Sequence, residues 1–332
     1  MCLCTATGCE SFLGKQVVKP PNHGKPLAKI DRDQPLALGG TVIDHGLRVE
    51  VGEPAASLAV GVIDPSNEIY VGTGPSRAKR DRVEMKFATL GGASRETREP
   101  RATVMLLHGY YDTINQRRYL GWARLLAAEG YRVVLIDQRG HGRSTGDWAT
   151  YGVQESHDMV AVLDALDARG LLVEPVGVAA VSFGASTAVR LAEMDDRVKA
   201  LVLISTFSSM REVVPDFGRA IGFRAFTDEK FQRIIDHAGR IGGFDPDEAD
   251  VAERLARIDT PALIFHGEKD RLIPVQHAVR LYTAAERDTV ELVRVAEAGH
   301  TTLGDQVVEP IRGPMLAWFE RYLVDKSSGS GR

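Results

Sequence analysis

Three residues of this chain have side chains and settings that suit covalent acyl transfer. Ser182 sits in Ala180-Val181-Ser182-Phe183-Gly184, at the end of the apolar run Val176 to Val181. Small residues two positions to either side suit a very tight strand-to-helix turn. In such a turn the serine is lifted out of the sheet, and the N–H groups that follow point at a developing oxyanion. A serine hydroxyl is a poor nucleophile near neutral pH and needs a base. Two later loops supply candidates: His266-Gly267-Glu268-Lys269-Asp270 and Ala298-Gly299-His300 each follow an apolar run. His300 is placed to take the Ser182 proton, with Asp270 fixing the tautomer of the imidazole and stabilising its charged form. Glu268 stands two residues before Asp270 as a substitute acid. His277, on a predicted helix, reads as a surface residue, and His266, inside a strand, as a satisfied core residue.

These loops need a frame. Thr103 to Leu107, Arg132 to Ile136, Val176 to Val181, Val198 to Ile204, Pro261 to His266 and Val290 to Val295 read as strands. Continuous apolar runs such as Thr103-Val104-Met105-Leu106-Leu107 suit strands covered on both faces. Helical patterns alternate with them at Tyr119 to Glu129, Val153 to Ala168, Ala185 to Met194, Val275 to Ala285 and Ile311 to Leu323. Strand and helix in alternation predict an α/β fold with a mostly parallel central sheet and helices on both faces. Ligands of such sheets bind beyond the carboxyl ends of the strands, which is where all three residues fall. Residues 207–257 break the rhythm with crowded phenylalanines and isoleucines, and predict a short helical lid. Residues 1–30 read as a flexible tail or lipoprotein-like tether, and 31–100 as an N-terminal extension with edge strands, including Leu47 to Val51 and Val83 to Leu90. The core then comprises 101–206 and 258–324, with a disordered tail at 325–332.

Composition narrows the function. The 332 residues carry a net charge of −4, which implies neither nucleic-acid binding nor a general attraction to membranes. All three cysteines, Cys2, Cys4 and Cys9, lie in the first nine residues, so the folded body owes nothing to disulfides or metal thiolates. No His-x-x-x-His pair and no Gly-x-Gly-x-x-Gly loop occurs, so no metal and no cofactor is expected. No run of about 18 apolar residues exists to cross a membrane. Leu3-Cys4-Thr5-Ala6-Thr7-Gly8-Cys9 looks like the end of a bacterial lipoprotein signal, but lacks a basic start and an apolar segment before Cys9. The expectation is a cytoplasmic protein, with a membrane anchor through a lipidated Cys9 as the alternative if the start codon is misassigned.

Four motifs in order resemble the α/β-hydrolase superfamily, within it the serine aminopeptidase/monoglyceride lipase-like or dienelactone hydrolase-like group. They are Leu107-His108-Gly109-Tyr110, Asp137-Gln138-Arg139-Gly140-His141-Gly142-Arg143-Ser144, His266 to Asp270, and Gly299-His300. The resemblance spans roughly 84–323 and implies an α/β-hydrolase fold. It also implies an oxyanion hole from the backbone N–H groups of Tyr110 and Phe183. His108, Gly109, Asp137, Arg139, Gly140, His141, Gly142 and Ser144 would shape structural turns beside the site. Ala180 replaces the usual first glycine of the elbow. Tyr111, Trp148, Phe207 and Phe217 are candidates for the substrate pocket.

The expected activity is hydrolysis of carboxylic esters or thioesters of small uncharged substrates through an acyl-enzyme on Ser182. Aminopeptidase or amidase action is the alternative, with Glu212, Asp216, Asp228 and Glu229 available to bind an amine terminus. Acyl transfer would use the same intermediate. A hydrolase fold retained only for binding is the alternative of another class.

Overall fold

The computed structural model describes residues 6–22, 41–75, 83–305 and 308–325. The chain opens with helix α1 (Ala6–Val18), followed by strands β1 (His45–Val51) and β2 (Ala56–Ile63) and the hairpin β3 (Glu68–Pro75) and β4 (Val83–Thr89). The alternating part runs β5 (Thr103–Leu107), α2 (Arg117–Ala128), β6 (Arg132–Asp137), α3 (Val153–Asp167), β7 (Val176–Val181), α4 (Phe183–Met194) and β8 (Val198–Ile204). Three helices then intervene: α5 (Met210–Ala220), α6 (Asp228–Gly242) and α7 (Val251–Arg257). The frame resumes with β9 (Ala262–Gly267), α8 (Gln276–Ala285), β10 (Val290–Val295), α9 (His300–Asp305) and α10 (Val308–Phe319).

Eight strands form one sheet in the order β1-β2-β6-β5-β7-β8-β9-β10. The β1–β2 and β2–β6 pairs are antiparallel, and the pairs from β6 through β10 are parallel. The hairpin β3–β4 forms a separate two-stranded sheet. The apolar runs are continuous because each strand feeds two cores. In β5, Met105 and Leu107 face one side, with Met159 of α3, Val189 of α4 and Leu281 of α8. Val104 and Leu106 face the other, with Leu125 of α2 and Met315 of α10. Fully burying a side chain of this size contributes about 1.5–3 kcal/mol.

Two parts of the N-terminal third differ from expectation. Residues 6–18, placed by the sequence in a flexible tail, form a helix, and Val18 at its end is fully buried. The extension supplies β1 and β2 to the edge of the main sheet, but β3 and β4 pair only with each other. Residues 1–5, 23–40, 76–82, 306–307 and 326–332 lie outside the described residues, so the Cys2, Cys4 and C-terminal-tail readings fall there. Among the described residues no helix is long and apolar enough to cross a membrane.

Candidate active site

Ser182 occupies the turn between β7 and α4 at φ 51°, ψ −113°, a conformation that side-chain-bearing residues rarely adopt. Two backbone bonds hold it there. Its N–H donates to the carbonyl of Ile204 at 2.8 Å, and its own carbonyl accepts from the N–H of Ala185 at 2.9 Å. Gly184 explains why the motif needs a glycine: a Cβ there would lie 2.7 Å from the carbonyl oxygens of both Leu107 and His108. Ala180 is fully buried in the core.

The loop after β5 meets this turn. A Cβ on Gly109 would lie 3.7 Å from Cβ of Ser182, so the two backbones run side by side. The Gly109 N–H donates to the Tyr119 hydroxyl at 3.1 Å, and that hydroxyl donates to Asp112 at 2.9 Å. Asp112 also pairs with Arg118. Phe183 packs edge-on against Tyr110 with ring centroids 5.4 Å apart. The residues after Ser182 and after Gly109 therefore form one packed unit.

On the far side, Asp270 Oδ2 lies 2.8 Å from His300 Nδ1. Its other oxygen accepts from the N–H groups of Leu272 at 3.0 Å and Ile273 at 2.9 Å. A carboxylate fixed in this way makes Nδ1 the protonated nitrogen of His300 and leaves Nε2 as the acceptor. Gly267 lets the two loops touch, because a Cβ there would lie 2.3 Å from the carbonyl oxygen of Ala298. His266 is buried and donates from Nε2 to the carbonyl of Ile273 at 2.8 Å, which makes it a support of the Asp270 loop.

The Asp137 to Ser144 motif forms a buried knot beside the site. Asp137 accepts from the N–H groups of Ile114 and Arg143, both at 2.9 Å. Ser144 donates to the Asp137 carbonyl and accepts from the Ala59 N–H at 2.9 Å, tying the knot to β2. Arg139 binds Asp158 of α3 through two hydrogen bonds of 2.6 and 2.7 Å. Gly140 and Gly142 adopt φ of 71° and 50°, and a Cβ on Gly142 would collide with the Asp137 carboxyl group. His108 donates to the Gly109 carbonyl at 2.8 Å and accepts from the Gln138 N–H at 3.0 Å. His141 lies 2.6 Å from the Tyr110 carbonyl, so the knot braces the loop after β5. Burial pushes His108 and His141 down to about 4, and His108, which donates from one ring nitrogen and accepts at the other, is neutral at neutral pH.

Ser182 and His300 open into one cavity of about 330 Å³, within the size range of small-molecule sites. Its walls are mostly apolar. Tyr111, Phe207 and Phe217 line it, together with Phe183 and Tyr110. Trp148 does not: its ring lies under the Lys15 ammonium, 5.7 Å away, packed against the core. The lid helices contribute Val213, Val214, Phe231 and Ile234, and helix α1 contributes Leu13, Gln16 and Val17. Tyr151, between the knot and α3, also lines the cavity and donates from its hydroxyl to the Val17 carbonyl at 3.2 Å. Sequence reasoning missed Tyr151 and all of α1, since neither lies in a chemical motif.

His277 differs from its expected surface position. It is fully buried, and Nδ1 accepts from the Ser208 N–H at 3.1 Å and lies 2.6 Å from the Ser208 hydroxyl. Nε2 reaches Asp216 of α5 at 3.2 Å. Burial lowers its pKa, so the neutral ring clamps lid helix α5 to α8. Neither Ser208 nor His277 is among the residues lining the cavity.

A mostly parallel eight-stranded sheet, with a strained serine elbow and a His–Asp pair at its strand ends, defines an α/β-hydrolase. Residues 98–236 and 248–307 match the family model described as serine aminopeptidase, S33, and the chain belongs to this family of hydrolases. Among curated proteins it is 30% identical over 190 residues to the lysophosphatidylserine lipase ABHD12 of Macaca fascicularis, covering 55% of this chain and 45% of that protein. It is 27% identical over 212 residues to the uncharacterized peptidase YuxL of Bacillus subtilis, covering 59% of this chain and 30% of that protein. The chain thus spans less than half the length of these relatives. Among solved structures, the Pf2001 esterase of Pyrococcus furiosus superposes with a TM-score of 0.61 at 19% identity, covering 92% of this chain and 99% of that one. At that identity the likeness is one of fold.

Proposed function

We propose that the protein is a serine hydrolase that cleaves carboxylic esters or thioesters with an apolar acyl group, through an acyl-enzyme on Ser182. The observation that carries the reading is the shared cavity: a serine in a strained elbow and a histidine tied to a buried aspartate face the same apolar space. In the proposed reaction Ser182 Oγ attacks the acyl carbon while its proton passes to Nε2 of His300. The N–H groups of Tyr110 and Phe183 stabilise the oxyanion. The alcohol or thiol leaves with the proton from His300. Water, deprotonated by the same nitrogen, then attacks the acyl-enzyme and releases the acid.

The mostly apolar walls favour an ester over an N-terminal amine as substrate. Asp112, the carboxylate lining the cavity, is engaged by Arg118 and by the Tyr119 hydroxyl, so it is poorly suited to receive an ammonium group. Glu212 contacts Ser208 and Arg280 and, like Asp216, Asp228 and Glu229, is not among the lining residues. The lipase name of the curated relative ABHD12 fits an acyl site of this kind.

A fluorophosphonate probe tests the nucleophile. It should add one phosphonyl group to the wild type at Ser182 and none to Ser182→Ala. Hydrolysis of p-nitrophenyl esters should fall by several powers of ten in Ser182→Ala. Turnover of aminoacyl anilides faster than that of esters would move the assignment to the peptidase reading.

A further inference from the structure

Helix α1 is built into the molecule from both ends. Near its start, buried Glu10 accepts from Arg233 of α6 at 2.8 Å. At its centre, Gly14 lies so close to α6 that a Cβ would sit 2.8 Å from Cβ of His237 and 3.0 Å from the backbone nitrogen of Ala238. At its end, the Val17 carbonyl accepts from the hydroxyls of Tyr110 and Tyr151 at 3.1 and 3.2 Å. The next carbonyl, of Val18, accepts from the Ala149 N–H at 2.9 Å. The chain then runs into the Asp137–Ser144 knot, where the Asn22 N–H donates to the Gly140 carbonyl at 3.0 Å. A helix serving only as an outer strap would turn no side chain toward the site. Leu13, Gln16 and Val17 instead line the cavity that holds Ser182 and His300.

We propose that α1 is a specificity element of the active site, with Leu13 as the residue through which it limits the length of acyl chain admitted. The proposal rests on the serine-hydrolase reading above. The geometry gives it a physical basis: Leu13 is partly buried against the apolar core and still faces the cavity, so its volume subtracts directly from the space left for an acyl chain. Gly14 fixes the spacing of α1 from α6, because the two helix backbones already abut there. A methylene gained or lost in an apolar pocket changes discrimination by about 10- to 200-fold.

The test uses the full chain and two alkyl fluorophosphonates, one short and one long, with labelling rates read by intact mass. Leu13→Trp should lower the long-to-short rate ratio at least ~10-fold. Leu13→Ala should raise the same ratio, and it decides the matter if the tryptophan variant does not fold. Gly14→Leu, whose side chain has no room beside α6, should release α1 and move the ratio in the direction of Leu13→Ala. Ratios within twofold of wild type in the folded Leu13 variants overturn the proposal and leave the hydrolase reading standing. A wild type that takes neither probe overturns that reading, and this one with it.

Discussion

The two sides of the cavity are built by different means. The reactive side is made of strand ends and short loops, held by backbone hydrogen bonds and by glycines at points of close approach: Gly109, Gly184 and Gly267. The apolar side is made of whole helices, α1, α5 and α6, held by side-chain packing and a few polar clasps such as Glu10–Arg233 and His277–Asp216. Backbone-held loops leave little freedom in where a proton or an oxyanion can sit. Packed helices define a volume whose size each side chain can tune. The first side should thus fail abruptly on substitution, and the second should change by degrees.

The largest effect that would sharpen this contrast is expected at Asp270. Asp270→Asn keeps the shape of the loop but allows the wrong tautomer of His300, and kcat for ester hydrolysis should fall by about 10⁴-fold. A loss under tenfold in steady-state assays would break the contrast at its root. Gly184→Val comes next. Its side chain would meet two backbone carbonyls that cannot yield, so unfolding in urea should show a loss of roughly 1–3 kcal/mol or more, with activity lost as well.

The third effect is on pH dependence. A free histidine titrates near 6.5, and burial holds His108 at about 4. Between these values the unfolded chain binds protons that the folded chain refuses. The stability contributed by the neutral His108 ring is therefore complete above about pH 6.5 and is lost as pH falls toward about 4. Thermal melts across that window should show a falling Tm, and His108→Gln should make the fall shallower, by up to about 3 kcal/mol over the window. The smallest effect belongs to Trp148, which lies outside the cavity. Trp148→Phe should change stability by about 0.5 kcal/mol through the contact with Lys15 and leave the acyl-length preference unchanged.

The same division decided what could be read in advance. Ser182, Asp270 and His300 stand in local motifs because backbone-held turns demand particular neighbours within two or three residues. Leu13 and Val17 carry no such mark: a wall side chain needs only to be apolar, and its partners on α6 are more than 200 positions away. Gly14 was indistinguishable from a tail glycine, since its reason for being small is a neighbouring helix. Trp148 was misplaced because an aromatic residue near a motif fits a pocket wall and a core contact equally well. His277 was misplaced because its helix has one face toward the lid, and a buried clamp to Ser208 and Asp216 leaves no local trace. Strands β5, β7 and β8 were legible as continuous apolar runs. Of the first two strands only the Leu47 to Val51 part of β1 was read, and the apolar run Ala56 to Ile63 was missed.

The docking of α1 on α6 also bears on the order of assembly. The residues of α1 that complete the cavity wall are made long before the helix that receives them. Until α6 has formed, Leu13 and Val17 have no cavity to line and Gly14 no neighbour to abut. A contact of such long sequence separation is costly to close early and is expected among the late steps of folding. The strands through β8 and the serine elbow can thus form while the cavity is still open on one side.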